Sequence, residues 1–232
     1  FTHALVQRAE AAGYQALVLT VDAPVSGVRD RERRAQFRPP AGVSAVNLQG
    51  MRPPAPVELS PGQSPLFDGL LLHAPRWEDL AWLRSITRLP IVLKGITHPG
   101  DARLALEHGA NGLIVSNHGG RTLDTAPPTA QVLERVVEVV RHSTVPHTPV
   151  LVDGGIRRGT DVLKALALGA DAVLVGRPLL WGLANAGAAG AAHVLRLLRD
   201  ELEAAMALTG CRTLHDITPD VLVHGAARAH HL

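Results

Sequence analysis

The chain has 232 residues, 46% of them hydrophobic, enough to bury a sizeable core in one large domain or two small ones. A net charge of +2 and an aromatic content of 3% give no footprint for a polyanionic partner, and little to stack on bases, which argues against nucleic acid. The single Cys211 excludes an intramolecular disulfide and fits a reducing, cytoplasmic compartment, while no run reads as a signal peptide or a membrane span.

Taken in order, the chain opens Phe1-Thr2-His3, without an initiator Met, already inside an amphipathic helical pattern. A motif then recurs three times: Gly13 to Leu19, Gly109 to Val115 and Gly169 to Val175 each place a glycine after a helical segment and an apolar run three residues on. The glycine reads as a helix C′ residue and the run as a strand, so the units alternate α and β and imply a parallel sheet. Strands are expected at 16–21, 90–94, 111–115, 149–152 and 171–175. Helices are expected near 77–85, 100–108, 129–141 and 161–168, with Pro99 at N1 and Thr160 as an N-cap. Val194, Leu198, Leu202 and Met206 repeat every four residues in a longer helix over 190–209 that Gly210 closes. The apolar region Pro178 to Leu198 reads as packed helix.

Residues 23–75 break the pattern. Pro24, Pro39, Pro40, Pro53, Pro54, Pro56, Pro61 and Pro65 leave no periodicity, and a loop of this length is expected to serve the active site. Its arginine run, interleaved with Asp30 and Glu32, reads as a solvated loop or helix start. The tail from Thr213, with His230-His231, is weakly patterned.

All five strands end on polar chemistry: Thr20-Val21-Asp22, Lys94, Ser116-Asn117-His118, Asp153-Gly154-Gly155-Ile156-Arg157 and Gly176-Arg177-Pro178. In a (β/α)8 barrel the active site lies at these strand ends, and the loops after strands 7 and 8 often hold phosphate. Glycines after a strand expose backbone N–H groups to an anion, with Arg157 and Arg177 adding charge. If the last two strands are 7 and 8, the first here is strand 4, and three strands precede Phe1. In the stretch Leu113 to Arg121, two glycines let His118 and Arg121 face one space: a base tuned near neutrality beside a fixed cation, suited to deprotonating an anionic substrate. Lys94 reads equally as a Schiff-base lysine or a surface lysine. No Gly-x-Gly-x-x-Gly fingerprint is present, and the 12 His show no metal-ligand spacing.

These motifs together resemble the FMN-dependent α-hydroxy-acid oxidases and dehydrogenases, which include glycolate oxidase and lactate oxidase. The matching stretches are Leu19 to Pro24 with Arg29, Leu93-Lys94-Gly95, Ser116 to Arg121, Asp153 to Asp161 and Gly176-Arg177-Pro178. The pairing of SNHGGR with DGGIRRGTD is specific; DGGIR with GRP is shared by other FMN barrels such as type 2 isopentenyl diphosphate isomerases. The resemblance implies a TIM barrel, the last five βα units of which lie in one domain over 1–232, and oxidation of an L-2-hydroxy acid (lactate, glycolate or mandelate type) to a 2-oxo acid. Electrons would pass to FMN and then to oxygen or another acceptor. It implies His118 as general base and Asp22 as the carboxylate orienting it, with Arg29 and Arg121 holding the substrate carboxylate. Lys94, Thr20 and Ser116 would lie by the flavin. Asp153, Gly154, Gly155 and Arg157 would line the ribityl chain and phosphate, and Gly176 and Arg177 would complete the phosphate site. It also implies a homo-oligomer, tetramer or octamer, and no metal. The alternatives are another barrel enzyme, an FMN isomerase of the type 2 isopentenyl diphosphate kind or a Schiff-base aldolase using Lys94, neither of which needs the His118–Arg121 pair, and a non-catalytic partial barrel, which the absent strands raise.

Overall fold

The computed structural model describes residues 1–51, 57–145 and 147–223. Five strands form one sheet in sequence order: β1 (Leu17–Thr20), β2 (Ile91–Ile96), β3 (Gly112–Val115), β4 (Val150–Val152) and β5 (Ala172–Val173). Every neighbouring pair is parallel. Each crossover carries a helix, as parallel pairing demands: α3 (Trp77–Ser85) precedes β2, α4 (Pro99–Glu107) precedes β3, α5 (Thr129–Arg141) precedes β4 and α6 (Gly159–Ala167) precedes β5. This is the fold class of the TIM barrel, of which the sheet makes five consecutive units.

Burial explains the order of the strands. Central β3 is buried at every position, and Ile91, Leu93, Leu113, Val115, Leu133 and Val136 are at most 1% exposed. A parallel strand covered on both faces must read as a continuous apolar run, and Leu113-Ile114-Val115 does. From α5, Leu133, Val136, Val137 and Val140 supply one stripe against it. Among the described residues, β1 and β5 pair on one side only. There apolar side chains meet less cover, and Val18 is 54% exposed.

The helices meet expectation closely. Gly13, Gly109 and Gly169 follow the C-caps of α1 (Thr2–Ala11), α4 and α6 with positive φ, as C′ residues do. Pro99 occupies N1 of α4, but Thr160 is not the N-cap of α6. That helix starts at Gly159, and the Asp161 carboxylate accepts from the backbone N–H of Arg157 and Arg158 at 2.9 Å each, so an N3 carboxylate closes the end that a threonine was expected to close.

The apolar stretch after β5 departs further. α7 (Arg177–Leu208) leaves helical geometry at Ala186 and Gly187, and Gly182 packs against Gly190 so closely that a Cβ at 182 would strike the Gly190 carbonyl. Eight residues lie about 12 Å apart along a straight helix, so the chain turns a corner here. After the corner, Leu198 is buried, and Leu202, Ala205 and Met206 pack with α6, Cys211 and Ile217 in a second cluster. Before it, Leu180, Trp181 and Leu183 are exposed rather than packed.

The proline-rich region stays largely irregular. It contains α2 (Asp30–Arg34), formed by the arginine run with Arg29 as N-cap, and short helical turns at Val46–Leu48, Pro65–Gly69 and Leu70–His73. Pro53, Pro54, Pro56 and His230-His231 lie outside the described residues. Among the described residues no helix is long and apolar enough to cross a membrane.

Candidate active site

The strand ends converge on a cavity of about 520 Å³ lined by Lys94, His118, Arg121, Asp153, Arg157 and Arg177, together with Gly154, Gly155 and Gly176. Four cations against one carboxylate make it a place for anions.

β2 delivers Lys94 just before a register shift between Lys94 and Ile96, so the strand runs two residues past its expected end. The shift rests on Gly95, whose φ is +115°; a Cβ there would sit 2.6 Å from the Asp22 Cβ. Only a residue without a side chain lets the Asp22 segment lie against β2. Lys94 Nζ donates to Ser116 Oγ at 2.8 Å and pairs with Asp153 Oδ2 at 3.1 Å, tying the ends of β2, β3 and β4 together. Ser116, wholly buried, also accepts the His118 backbone N–H at 3.1 Å.

His118 itself has φ +56°, and Gly119 and Gly120 continue at +66° and +73°. A non-glycine residue in this region is uncommon and is held here by its neighbours. The turn presents the imidazole with Nδ1 3.1 Å from Asp22 Oδ1. An ionised carboxylate can only accept, so opposite an ionised Asp22 the imidazole donates from Nδ1 and Nε2 is the ring nitrogen left open. The Asp22 side chain is 12% exposed, that of His118 35%. Arg177 Nη2 donates to the Gly119 carbonyl at 2.7 Å, bracing the same turn from the far side.

Arg121 faces the cavity, whereas Arg29 lines a neighbouring one with Glu32, Gln36 and Arg38. The two arginines are linked by Glu32: Oε1 accepts from Arg121 at 2.6 Å and Oε2 from Arg29 at 3.4 Å. The Arg121 hydrogen bond holds the Glu32 carboxyl below the ordinary carboxylate range, and Arg29 acts in the same direction. Thr20 closes β1 opposite Lys94 in the register, outside the cavity lining, and Asp22 and Ser116 stand behind His118 and Lys94.

Three buried side-chain oxygens have no partner among the described residues: Asp22 Oδ2, Asn117 Oδ1 and Asp153 Oδ1. Buried acceptors left open cost free energy and point to an outside donor. Asp153 Oδ1, beside Gly154 and Gly155, is where a polyhydroxylated chain ending in phosphate would find an acceptor and then exposed N–H groups and arginines. The residues present therefore fit a flavin mononucleotide. Sequence reasoning missed two contributors: Glu32, already placed, and Thr129, whose Oγ1 donates to the Asp153 carbonyl at 2.6 Å. The i,i+3 spacing of Arg29 and Glu32 was the one legible signal; nothing in the sequence marks Thr129 apart from a helix start.

Parallel βα units whose strand ends gather a histidine, a carboxylate behind it and a cationic, glycine-rich end form an α/β-barrel site suited to an anionic ligand. The sequence profile described as FMN-dependent dehydrogenase matches residues 1–224. An L-lactate oxidase from a Roseobacter species is 52% identical over 95% of this chain and 59% of its own length. A 2-hydroxyacid oxidase from Dictyostelium discoideum is 49% identical over 94% of this chain and 54% of its own. The crystal structure of a mandelate oxidase with 3,3-difluoro-2-hydroxy-3-phenylpropionic acid superposes with a TM-score of 0.78 at 44% identity, covering 94% of this chain and 58% of that one. This chain belongs to the FMN-dependent dehydrogenase family, whose cofactor is FMN. It spans about three fifths of the length of the curated relatives it matches.

Proposed function

We propose that the protein oxidises an L-2-hydroxy acid of the lactate, glycolate or mandelate type to the 2-oxo acid, with His118 as general base. The observation that carries the reading is the His118–Asp22 pair, 3.1 Å apart, opening onto a cavity that also holds Arg121 and Lys94. Arg121, with Arg29 from the adjoining loop, binds the substrate carboxylate, for which a guanidinium offers a two-point match. Held in that way, the substrate brings its C2 hydroxyl or C2–H to Nε2. His118 takes one proton, and Asp22 stabilises the imidazolium that results. Bound FMN would supply the acceptor for the two electrons that the substrate loses together with its second hydrogen. Lys94 supplies positive charge at the end of β2 where the reduced ring would gain negative charge, and Thr20 and Ser116 frame it. Asp153, Gly154, Gly155 and Arg157 would line the ribityl chain and phosphate, with Gly176 and Arg177 completing the phosphate site.

We hold with this reading a cytoplasmic protein that assembles as a homo-oligomer, tetramer or octamer; the single cysteine, Cys211, is buried and free, as a reducing compartment allows. Mass photometry of the purified protein tests the assembly. The function itself is tested by purifying the protein, adding FMN and mixing it anaerobically with L-lactate, glycolate or L-mandelate. Loss of the oxidised flavin absorbance with one of the three is expected. Protein that neither purifies yellow nor takes up FMN would sink the proposal.

A further inference from the structure

The loop that carries α2 is docked against the turn that carries Arg121 at two points. At Gly27 the backbones approach so closely that a Cβ would collide with the carbonyl oxygens of Arg121 and Thr122. The second point is Glu32, one carboxylate oxygen on each arginine. Arg121 follows three consecutive residues of positive φ, and its side chain is 48% exposed, so little else restrains it. Among the described residues, Glu32 is the only side chain that bonds either guanidinium.

We infer that Glu32 is the positioning residue of the arginine pair: it draws Arg29 and Arg121 from two neighbouring cavities into one carboxylate-binding unit. Charge supports this. Two guanidinium groups brought together repel, and one carboxylate between them leaves a net +1, the complement of a single substrate carboxylate. Geometry supports it too. Glu32 occupies Nη2 of Arg121 and Nη1 of Arg29, leaving the other N–H donors of both forks free for a ligand. Glu32 thus acts through the arginines, and the inference rests on their assignment as the substrate clamp.

The test uses the FMN-loaded protein, oxamate as an unreactive monocarboxylate probe, and L-lactate. Calorimetry gives the oxamate affinity; stopped-flow reduction over a range of L-lactate separates apparent affinity from limiting rate. Glu32→Ala should weaken both affinities by about two- to five-fold, the usual worth of an exposed ion pair, with the limiting rate changed less than about two-fold. Glu32→Asp should recover most of the loss. In an Arg121→Met background, Glu32→Ala should add only part of its effect, because Arg29 is the one group left for it to position. Equal or tighter oxamate binding by Glu32→Ala would overturn the inference, since the carboxylate would then be competing with ligand. So would a full effect of Glu32→Ala in the Arg121→Met background. If Arg121→Met alone leaves oxamate affinity unchanged, the clamp itself is wrong and both readings fall; if Arg121→Met weakens it and Glu32→Ala does not, only this one does.

Discussion

Replacing Lys94 with Met tests how far the site is held together by its own charges. Lys94 and Asp153 are each 17% exposed at the side chain and 3.1 Å apart, and Asp153 Oδ1 already has no partner. Removing the ammonium leaves a mostly buried carboxylate with neither oxygen satisfied by a side chain, and leaves Ser116 Oγ with the His118 backbone N–H alone. Breaking a fully buried pair costs about 3–5 kcal/mol; the residual exposure of this one reduces that to about 2 kcal/mol. For a chain of this size, 2 kcal/mol corresponds to a fall in melting temperature of about 4–8 °C. Calorimetric melting in the absence of FMN isolates the effect from cofactor binding. Lys94→Met combined with Asp153→Asn removes the uncompensated charge and should recover at least half of the loss. A Lys94→Met protein melting within about 1 °C of the parent would refute the argument, because it would mean that water already satisfies Asp153.

Three further outcomes follow from the same geometry. His118→Gln should retain FMN but slow its reduction by roughly 10²–10⁴-fold at saturating substrate, the usual worth of a positioned base; normal reduction in stopped flow would remove His118 from that role. Arg121→Met should leave the limiting rate nearly intact while the apparent substrate affinity falls about ten-fold or more, as expected for lost charged hydrogen bonds. Gly95→Ala should lower both melting temperature and reduction rate, since its Cβ would enter the space of Asp22, 2.6 Å away, at a φ of +115°; a stable, active Gly95→Ala protein would show that the Asp22 segment can shift.

The parts of this molecule that could be read from its sequence are those fixed by local rules. Strand positions followed from apolar runs bounded by C′ glycines, because a buried parallel strand has no freedom to be polar, and β2, β3 and β4 fall within two residues of expectation. At β5 the reading overshot: regular pairing stops at Val173, although Leu174 still donates to Val152 at 2.9 Å, because an edge strand has a ladder on one side only. The Thr160 cap failed for another reason. Threonine has the right chemistry, but Asp161 reaches two N–H groups at once, and which residue caps depends on where the loop enters the helix.

The candidate site was legible as a list of polar residues at strand ends and not as a set of contacts. His118 with Asp22 and Lys94 with Asp153 are separated in sequence by 96 and 59 positions, and only the strand order brings them together. Once β1, β2, β3 and β4 lie side by side in sequence order, each strand end meets the next: Thr20 stands opposite Lys94, Lys94 reaches Ser116, and Ser116 fixes His118. The chemistry is therefore a consequence of the sheet register, and a one-residue slip of β2 would turn Lys94 away from both partners. Arg29 escapes this logic, since it rides on an irregular loop whose placement depends on Gly27 and Glu32 rather than on any ladder. That is why the arginine run by itself read as a solvated loop or helix start, Arg29 was singled out only by the family resemblance, and its place in a cavity beside that of His118 was not legible.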